Sequence, residues 1–406
     1  MPSVAFGNEE HSFSIESGDT LIIAEPSDDV PLLNESVFLE RLKIAGFEDL
    51  TKNRLMVIVN DAFRPTPTGI VLSQLKKWYP DFQADYVIAT GNHPVPDEEE
   101  ISQIFNGYNR NDNEKIFVHD SRGPETMQNS GEFSGNPIYL NRLLFEYPSI
   151  MVIGSVEPHY FAGFTGGRKS IIPGLADFET IRRNHAHAIS LDAQPLRLTG
   201  NPMAENLQYL IDGVSLPPLI SIQLVLNRKH EIIDAFAGEL KSSFEEAVAI
   251  VEDLYAHKSP HPFDLVIAEM RPPLDRNLYQ LQKAVENCQM AVADGGTILA
   301  VSSCNEGIGN DEFYRLASKL SDEDMVLSHA AMDNPPMGIH KLSRIVMMSK
   351  RINVKALTGL KHEIVKQVFW EPAVSIDAEI QKLRKQKENL NILIVRDAGH
   401  MVVKLD

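Results

Sequence analysis

Cysteine is scarce in this sequence. Two residues, Cys288 and Cys304, in a chain of 406 cannot build a disulfide framework, and such scarcity points to a reducing compartment. Basic residues are also in deficit: 38 Lys+Arg against 56 Asp+Glu leave a formal net charge of −18. Nucleic acid and anionic membrane surfaces reward a basic face, so neither is expected as the main partner. Small anions stay open, because they need only a local cluster of Arg, Lys and His. No apolar stretch approaches the ~18 residues that a membrane-spanning helix requires. The opening MPSVAFGNEEHSFS has no basic stretch followed by a long apolar run, so no signal peptide is expected and the expected location is cytoplasmic. Internal repeats and low-complexity tracts are missing too. With 43% hydrophobic and 23% charged residues, the composition is that of a globular enzyme and not of a disordered chain. The length exceeds one ordinary core, which predicts two domains.

Short β-branched runs alternate with longer helix-like segments, the pattern of an α/β protein with largely parallel sheets. Strands are expected at 54–60, 85–89 and 149–154, with a further pair at 219–226 and 231–235. Helices are expected at 67–78 and 244–256, and the acidic run at 97–100 reads as a helix start. The segment 258–264, KSPHPFD, has two prolines and no helix or strand pattern, so a domain boundary is placed there, with domains 1–258 and 259–406. Beyond it the alternation restarts, with strands at 264–268, 297–303 and 391–396 and helices at 277–292, 310–320 and 377–389. The polar, glycine-containing loops follow the carboxyl ends of the expected strands, where open α/β sheets bind ligands.

The richest stretch is EPHYFAGFTGGRKSIIPGLADFETIRRNHAH, residues 157–187. Its TGGRKS segment departs from a phosphate-binding P-loop by one residue, because Arg168 stands where that motif needs glycine. Gly166 and Gly167 still expose backbone N–H groups, and Arg168 and Lys169 add charge, so an anion is favoured nearby. From the loop alone, an anion site and a glycine turn with two solvated cations are both open. Arg168 also lowers the cost of a neutral Lys169, and a neutral lysine is a nucleophile able to carry a covalent group. His185 and His187 stand two apart, facing different ways on a helix and the same way on a strand. A lone histidine binds a metal only when a cofactor supplies most of the other ligands. In ATGNHPVP, His93 follows a strand end directly, the place of a presented side chain. NDAFRPTP does the same for Asp61 and Arg64, whose planar fork suits a carboxylate. In DRNLYQLQKAVENC, Tyr279 and Lys283 share one helical face at i,i+4, with Gln280 beside them. Cys304 has no His or Asp at a spacing that argues for nucleophilic catalysis.

Together these motifs resemble the nickel-pincer lactate racemase family of 2-hydroxyacid racemases and epimerases. EPHYFAGFTGGRKSIIPG followed by NHAH is similar to its central signature, and DxxRP, ATGxH and YQxxK occur in the expected order, over residues 61–309. The resemblance implies two α/β domains with mainly parallel sheets and an active site in the interdomain cleft. It implies a nickel-pincer nucleotide, pyridinium-3-thioamide-5-thiocarboxylic acid mononucleotide with nickel, tethered through Lys169 and coordinated by His185. His93 and His159 inherit the acid/base roles, and Arg64 and Lys283 the substrate carboxylate. Tyr279 and Gln280 match neighbouring substrate positions; Asp61, Gly166, Gly167 and Arg168 are assigned to the cofactor. Enzymes that synthesise the cofactor are implied as maturation partners, and a homo-oligomer is compatible with the resemblance. One departure concerns substrate choice: the family commonly has Arg after the acid/base histidine, whereas this chain reads Asn92, His93, Pro94.

The implied chemistry suits these residues. Removing a proton from C2 of a 2-hydroxyacid creates a carbanion beside a carboxylate, whereas removing hydride gives a planar 2-keto acid. One histidine takes the hydroxyl proton as hydride leaves, and a second returns it after the keto acid has rotated. Two other readings stand beside this one. A histidine-rich metallohydrolase could bind a phosphorylated small molecule at TGGRKS, but Asp61 is the only acidic residue in the signature loops placed to assist it. A non-catalytic binder of a nucleotide or organic acid needs neither histidine.

Overall fold

The computed structural model describes residues 1–406 except 28, 29, 321 and 406. Two six-stranded sheets organise the chain. The first runs in the order Ile232–Gly238, Leu219–Leu226, Ile150–Val156, Leu55–Asn60, Ala84–Ala89, Ile116–Val118, parallel throughout except for the antiparallel edge pair. The second, wholly parallel, runs Glu371–Pro372, Asn353–Leu357, Val292–Val301, Phe263–Glu269, Asn391–Val395, Thr20–Ala24. These are the two α/β units with mainly parallel sheets that the alternating pattern predicts.

Parallel strands are covered on both faces, so they read as continuous apolar runs and not as alternations. Leu55–Val59 show it: all five are fully buried, Leu55, Val57 and Val59 in one cluster and Met56 and Ile58 in another across the sheet. Each such side chain contributes about 1.5–3 kcal/mol on burial. A third cluster spans both halves, joining Val156, Val225 and Phe244 to Val266, Leu281 and Ile345. The two units therefore share apolar packing.

Two segments differ from expectation. The 258–264 stretch is not free of regular structure: Ala256–Ser259 pairs in parallel with Val402–Leu405, and Phe263 already begins a sheet strand. Its prolines, Pro260 and Pro262, sit between the two strands, where no ladder hydrogen bond is lost. The start of the chain also joins the second sheet, because Thr20–Ala24 pairs with Asn391–Val395 across nearly the whole sequence. No helix among the described residues is long and apolar enough to cross a membrane.

The order of strands positions the site. From Leu55–Asn60 the chain moves to one side through Ala84–Ala89, then returns to the other side at Ile150–Val156. The crevice at such a reversal, outside the carboxyl ends of the strands, is where doubly wound sheets bind ligands.

Candidate active site

Three loops leave that crevice. The first, after Leu55–Asn60, carries Asp61 and Arg64, and the second, after Ala84–Ala89, carries His93. Buried Asp61 accepts from Phe63 N–H through Oδ1 (3.2 Å) and holds His93 Nδ1 at 2.6 Å through Oδ2. The carboxylate fixes the proton of His93 on Nδ1 and leaves Nε2 as the free nitrogen. The Phe63 ring lies 4.6 Å from the imidazole and limits its tilt. The third loop, after Ile150–Val156, carries His159. Here Nδ1 accepts two backbone N–H groups, from Phe161 at 3.2 Å and Ala162 at 3.0 Å, so the ring proton belongs on Nε2. The two histidines thus present opposite faces of the imidazole chemistry, one a lone pair and one an N–H. Burial first, then the cations Lys169, Arg64 and Lys283, hold His159 well below the usual histidine range.

The TGGRKS segment forms a single 3-10 turn, Gly167–Ser170. Gly166 and Gly167 both have positive φ, and a Cβ at Gly167 would stand 2.7 Å from the Phe244 ring. Glycine is therefore required by conformation and by space. The Gly167 N–H donates to Gln223 Oε1 at 2.8 Å, so it is not offered to a ligand. Arg168 also turns away: its guanidinium lies over Phe244, 5.1 Å from the ring centroid, and neither Gly167 nor Arg168 lines the cavity. The expectation that both face the bound group differs from this placement because the tight turn alternates its side chains between cavity and core. Lys169 and Gly166 do face the cavity, with Ser170.

His185 and His187 lie where a helix ends, and the helix question resolves accordingly. Asp177 caps Phe178–Ala186 by accepting from the N–H groups of Glu179 and Thr180. His185 points into the cavity and His187 to solvent. His185 donates Nδ1–H to Ile181 O at 2.9 Å, which leaves the Nε2 lone pair for a ligand. From the second half, Asn277 caps Leu278–Cys288, and Tyr279, Gln280 and Lys283 line the cavity from that helix.

All ten of Asp61, Arg64, His93, His159, Gly166, Lys169, His185, Tyr279, Gln280 and Lys283 surround one cavity of about 300 Å³. The chain is strongly acidic as a whole, yet this spot gathers cations. Burial first, then Arg64, brings Lys283 down to about 7, and burial with Arg64 and Arg168 brings Lys169 to about 7. Glu157 offsets part of that charge, 3.7 Å from Arg64. Sequence reasoning passed over Glu157, Phe63 and His340, the last a cavity residue from helix Ile339–Ser349. Glu157 belongs to the quoted EPH segment and had a signal; a lone histidine in an amphipathic helix has none.

The donor set fits a metal-bearing cofactor that brings its own ligands. Among the described residues no three His, Cys, Asp or Glu side chains come together to hold a metal. A metal at His185 would take most of its ligands from the group it arrives with. Buried Ser170 Oγ has no hydrogen-bond partner, an orphan that a ligand would satisfy. The lowered Lys169 predicts a chemical result. A lysine near 7 is mostly the neutral amine at pH 8, so acylation of Lys169 and Lys283 in the apoprotein should level off by about pH 8. Surface lysines, with an ordinary value near ~10.4, should keep gaining reactivity beyond it. Peptide mass analysis across pH reads this directly; parallel profiles for Lys169 and surface lysines would contradict it.

Comparison with known proteins follows the same lines. Residues 6–195 match the model of the lactate racemase N-terminal domain, and residues 258–403 that of the lactate racemase C-terminal domain. A lactate racemase from Thermoanaerobacterium thermosaccharolyticum is 31% identical over 369 residues, covering 87% of this chain and 85% of that protein. One from Lactiplantibacillus plantarum is 29% identical over 368 residues, with the same coverage. The solved lactate racemase apoprotein from Thermoanaerobacterium thermosaccharolyticum superposes with a TM-score of 0.86 at 25% identity, covering 99% of both chains. A Thermotoga maritima protein of known crystal structure shares the fold, with a TM-score of 0.71 at 18% identity, covering 94% of this chain and 100% of that one.

Proposed function

Because this chain belongs to the lactate racemase family and is an isomerase of the racemase type, we propose that it inverts C2 of a small 2-hydroxyacid, lactate-like, malate-like or a sugar acid, with a nickel-pincer nucleotide in the cavity. The observation that carries the reading is the convergence of Arg64 and Lys283 from the two halves on the cavity that also holds His93 and His159. Paired cations, with Glu157 at 3.7 Å from Arg64 offsetting only part of their charge, suit a substrate carboxylate. Lys169 and His185 are the residues that would hold the cofactor, Lys169 by covalent attachment and His185 through Nε2 on nickel, a metal that imidazole suits. When bound, that group supplies a hydride acceptor, so C2–H breaks toward a 2-keto acid without a carbanion.

The chain's own residues do the rest. Arg64 and Lys283 grip the carboxylate and keep C2 in place while the rest of the molecule turns, which converts an improbable encounter into a positioned one. His93, its Nδ1–H anchored on Asp61, meets the substrate hydroxyl with the lone pair of Nε2. His159 meets the oxygen from its own side with Nε2–H. Tyr279 and Gln280 wall the substrate from the C-terminal half. The halves divide near residue 258 in this reading, apart from Thr20–Ala24, which pairs into the second sheet; the cytoplasm is its location and the cofactor-synthesis enzymes are its maturation partners.

The test is the denatured intact mass of protein made in a host supplied with nickel and the cofactor-synthesis enzymes, followed by a racemisation screen on 2-hydroxyacids. An adduct on Lys169 with nickel in the native protein is the expected result. Unmodified protein without nickel would remove the cofactor from the reading.

A further inference from the structure

Glu157 is a buried carboxylate to which the racemase reading gives no role beyond trimming the charge of Arg64. It is 6% exposed and directly follows the strand Ile150–Val156. Arg64 lines the cavity and Glu157 does not, so the carboxylate stands behind the guanidinium, out of reach of a substrate. Oε2 lies 3.7 Å from Arg64 Nη1, and among the described residues no other side chain pairs with that guanidinium. Oε1 accepts from Ser155 Oγ at 3.2 Å. That hydroxyl has one proton, so in its 2.8 Å contact with Thr66 Oγ1 it must accept. Thr66 Oγ1 accepts in turn from Asn60 Nδ2 at 2.7 Å. The donors therefore run one way, from Asn60 through Thr66 and Ser155, and end on a carboxylate, which only accepts when ionised. The backbone is fixed as well: Glu157 N–H donates to Thr165 Oγ1 at 2.8 Å, and its carbonyl accepts from Thr165 N–H at 2.8 Å.

We propose that Glu157 is a positioning residue: it holds the Arg64 guanidinium in the orientation that grips the substrate carboxylate, and the Asn60–Thr66–Ser155 relay holds Glu157. The inference rests on the reading of Arg64 as a carboxylate clamp and adds the residue that aims it. A guanidinium is planar, so a fixed partner at Nη1 sets the whole fork. A fork aimed beforehand loses less side-chain freedom when the substrate binds. The relay also ties the loop of Arg64, through Thr66, to the strand that leads into His159. Lys283, brought down by burial and by Arg64, is pulled part of the way back by the same carboxylate. Glu157 thus acts on both cations of the clamp, as Asp61 acts on His93.

The test is a double-mutant cycle on binding, made with cofactor-loaded proteins of matched Lys169 adduct and nickel content. Titration calorimetry measures racemic lactate, racemic malate and gluconate on wild type, and the tightest of the three is carried to the variants. Glu157→Gln should weaken its binding about tenfold, within the range of coupled neighbours. In an Arg64→Ala background, where Lys283 keeps binding measurable, the same change should matter less than about twofold. Glu157→Asp keeps the charge a methylene further back and should fall between wild type and Glu157→Gln; it carries the test if glutamine disturbs folding. A wild-type affinity in Glu157→Gln and Glu157→Asp, with Arg64→Ala weakened, would overturn the positioning role alone. So would an equal loss in both backgrounds, which would make Glu157 merely structural. Wild-type affinity in Arg64→Ala, or no binding of any of the three acids to wild type, would overturn the clamp and the inference with it.

Discussion

Alanine at His93 should lower kcat of the cofactor-loaded protein by about 10²–10⁴-fold, the range that general acid–base catalysis contributes. The argument is geometric. Asp61 is buried and spends one oxygen on the Phe63 N–H and the other on His93 Nδ1. Its orientation is therefore set by the backbone and not by the histidine, so the imidazole is aimed before substrate arrives. Alanine removes the only base that this dyad presents. His159→Ala should cost a comparable factor, because the opposite side of the substrate loses its donor. Asp61→Asn should cost less than His93→Ala: the imidazole remains, but an amide no longer compels the Nδ1–H tautomer. Intact mass and nickel content should match wild type in all three variants, which separates lost chemistry from lost cofactor. Full activity in both histidine variants, each carrying cofactor, would end the acid/base assignment.

The readable part of this site is the part built from strand ends. A buried parallel strand announces itself as an apolar run, and the polar residues that follow it have nowhere to go but the crevice, as with Asp61, His93 and His159. Leu219–Leu226 and Asn391–Val395 were legible to the residue at their starts for the same reason. Thr20–Ala24 was not, since its partner lies more than 360 residues away and no local pattern encodes that pairing. The Met127–Phe133 and Asn136–Asn141 hairpin also escaped, because its polar, half-exposed strands give no apolar run. Arg168 shows a different limit. Composition counts it among the cations of an anion loop, but one tight turn decides whether a side chain meets the cavity or Phe244. His340 shows a third: it lines the same cavity as His185 from a helix 155 positions further along, and a lone histidine in an amphipathic helix carries no local sign of that.

The largest effect on stability is expected away from the reacting atoms, at Glu286 and Arg344. Both side chains are fully buried, and the guanidinium is bidentate on the carboxylate, Nε to Oε1 at 2.9 Å and Nη2 to Oε2 at 2.6 Å. The remaining nitrogen reaches into the first half, donating to Ser190 O at 2.5 Å and Ala188 O at 3.3 Å, just past His185. The pair thus joins the helix of Lys283, the helix of His340 and the segment that follows His185. Glu286→Gln leaves a buried guanidinium with only carbonyls and amides around it. Arg344→Met leaves a buried carboxylate with Gln289 and Gln282 as its donors. Removing one partner of such a pair costs about 3–5 kcal/mol, because the survivor's charge stays buried without compensation. The double variant Glu286→Gln/Arg344→Met buries no charge, so it should be more stable than either single variant. It should still fall short of wild type, since the carbonyls of Ala188 and Ser190 lose their donor at about 1–3 kcal/mol. Denaturant and thermal midpoints of the four proteins test this order. Single variants within about 1 kcal/mol of wild type, or effects that simply add, would show that the pair does not join the two halves.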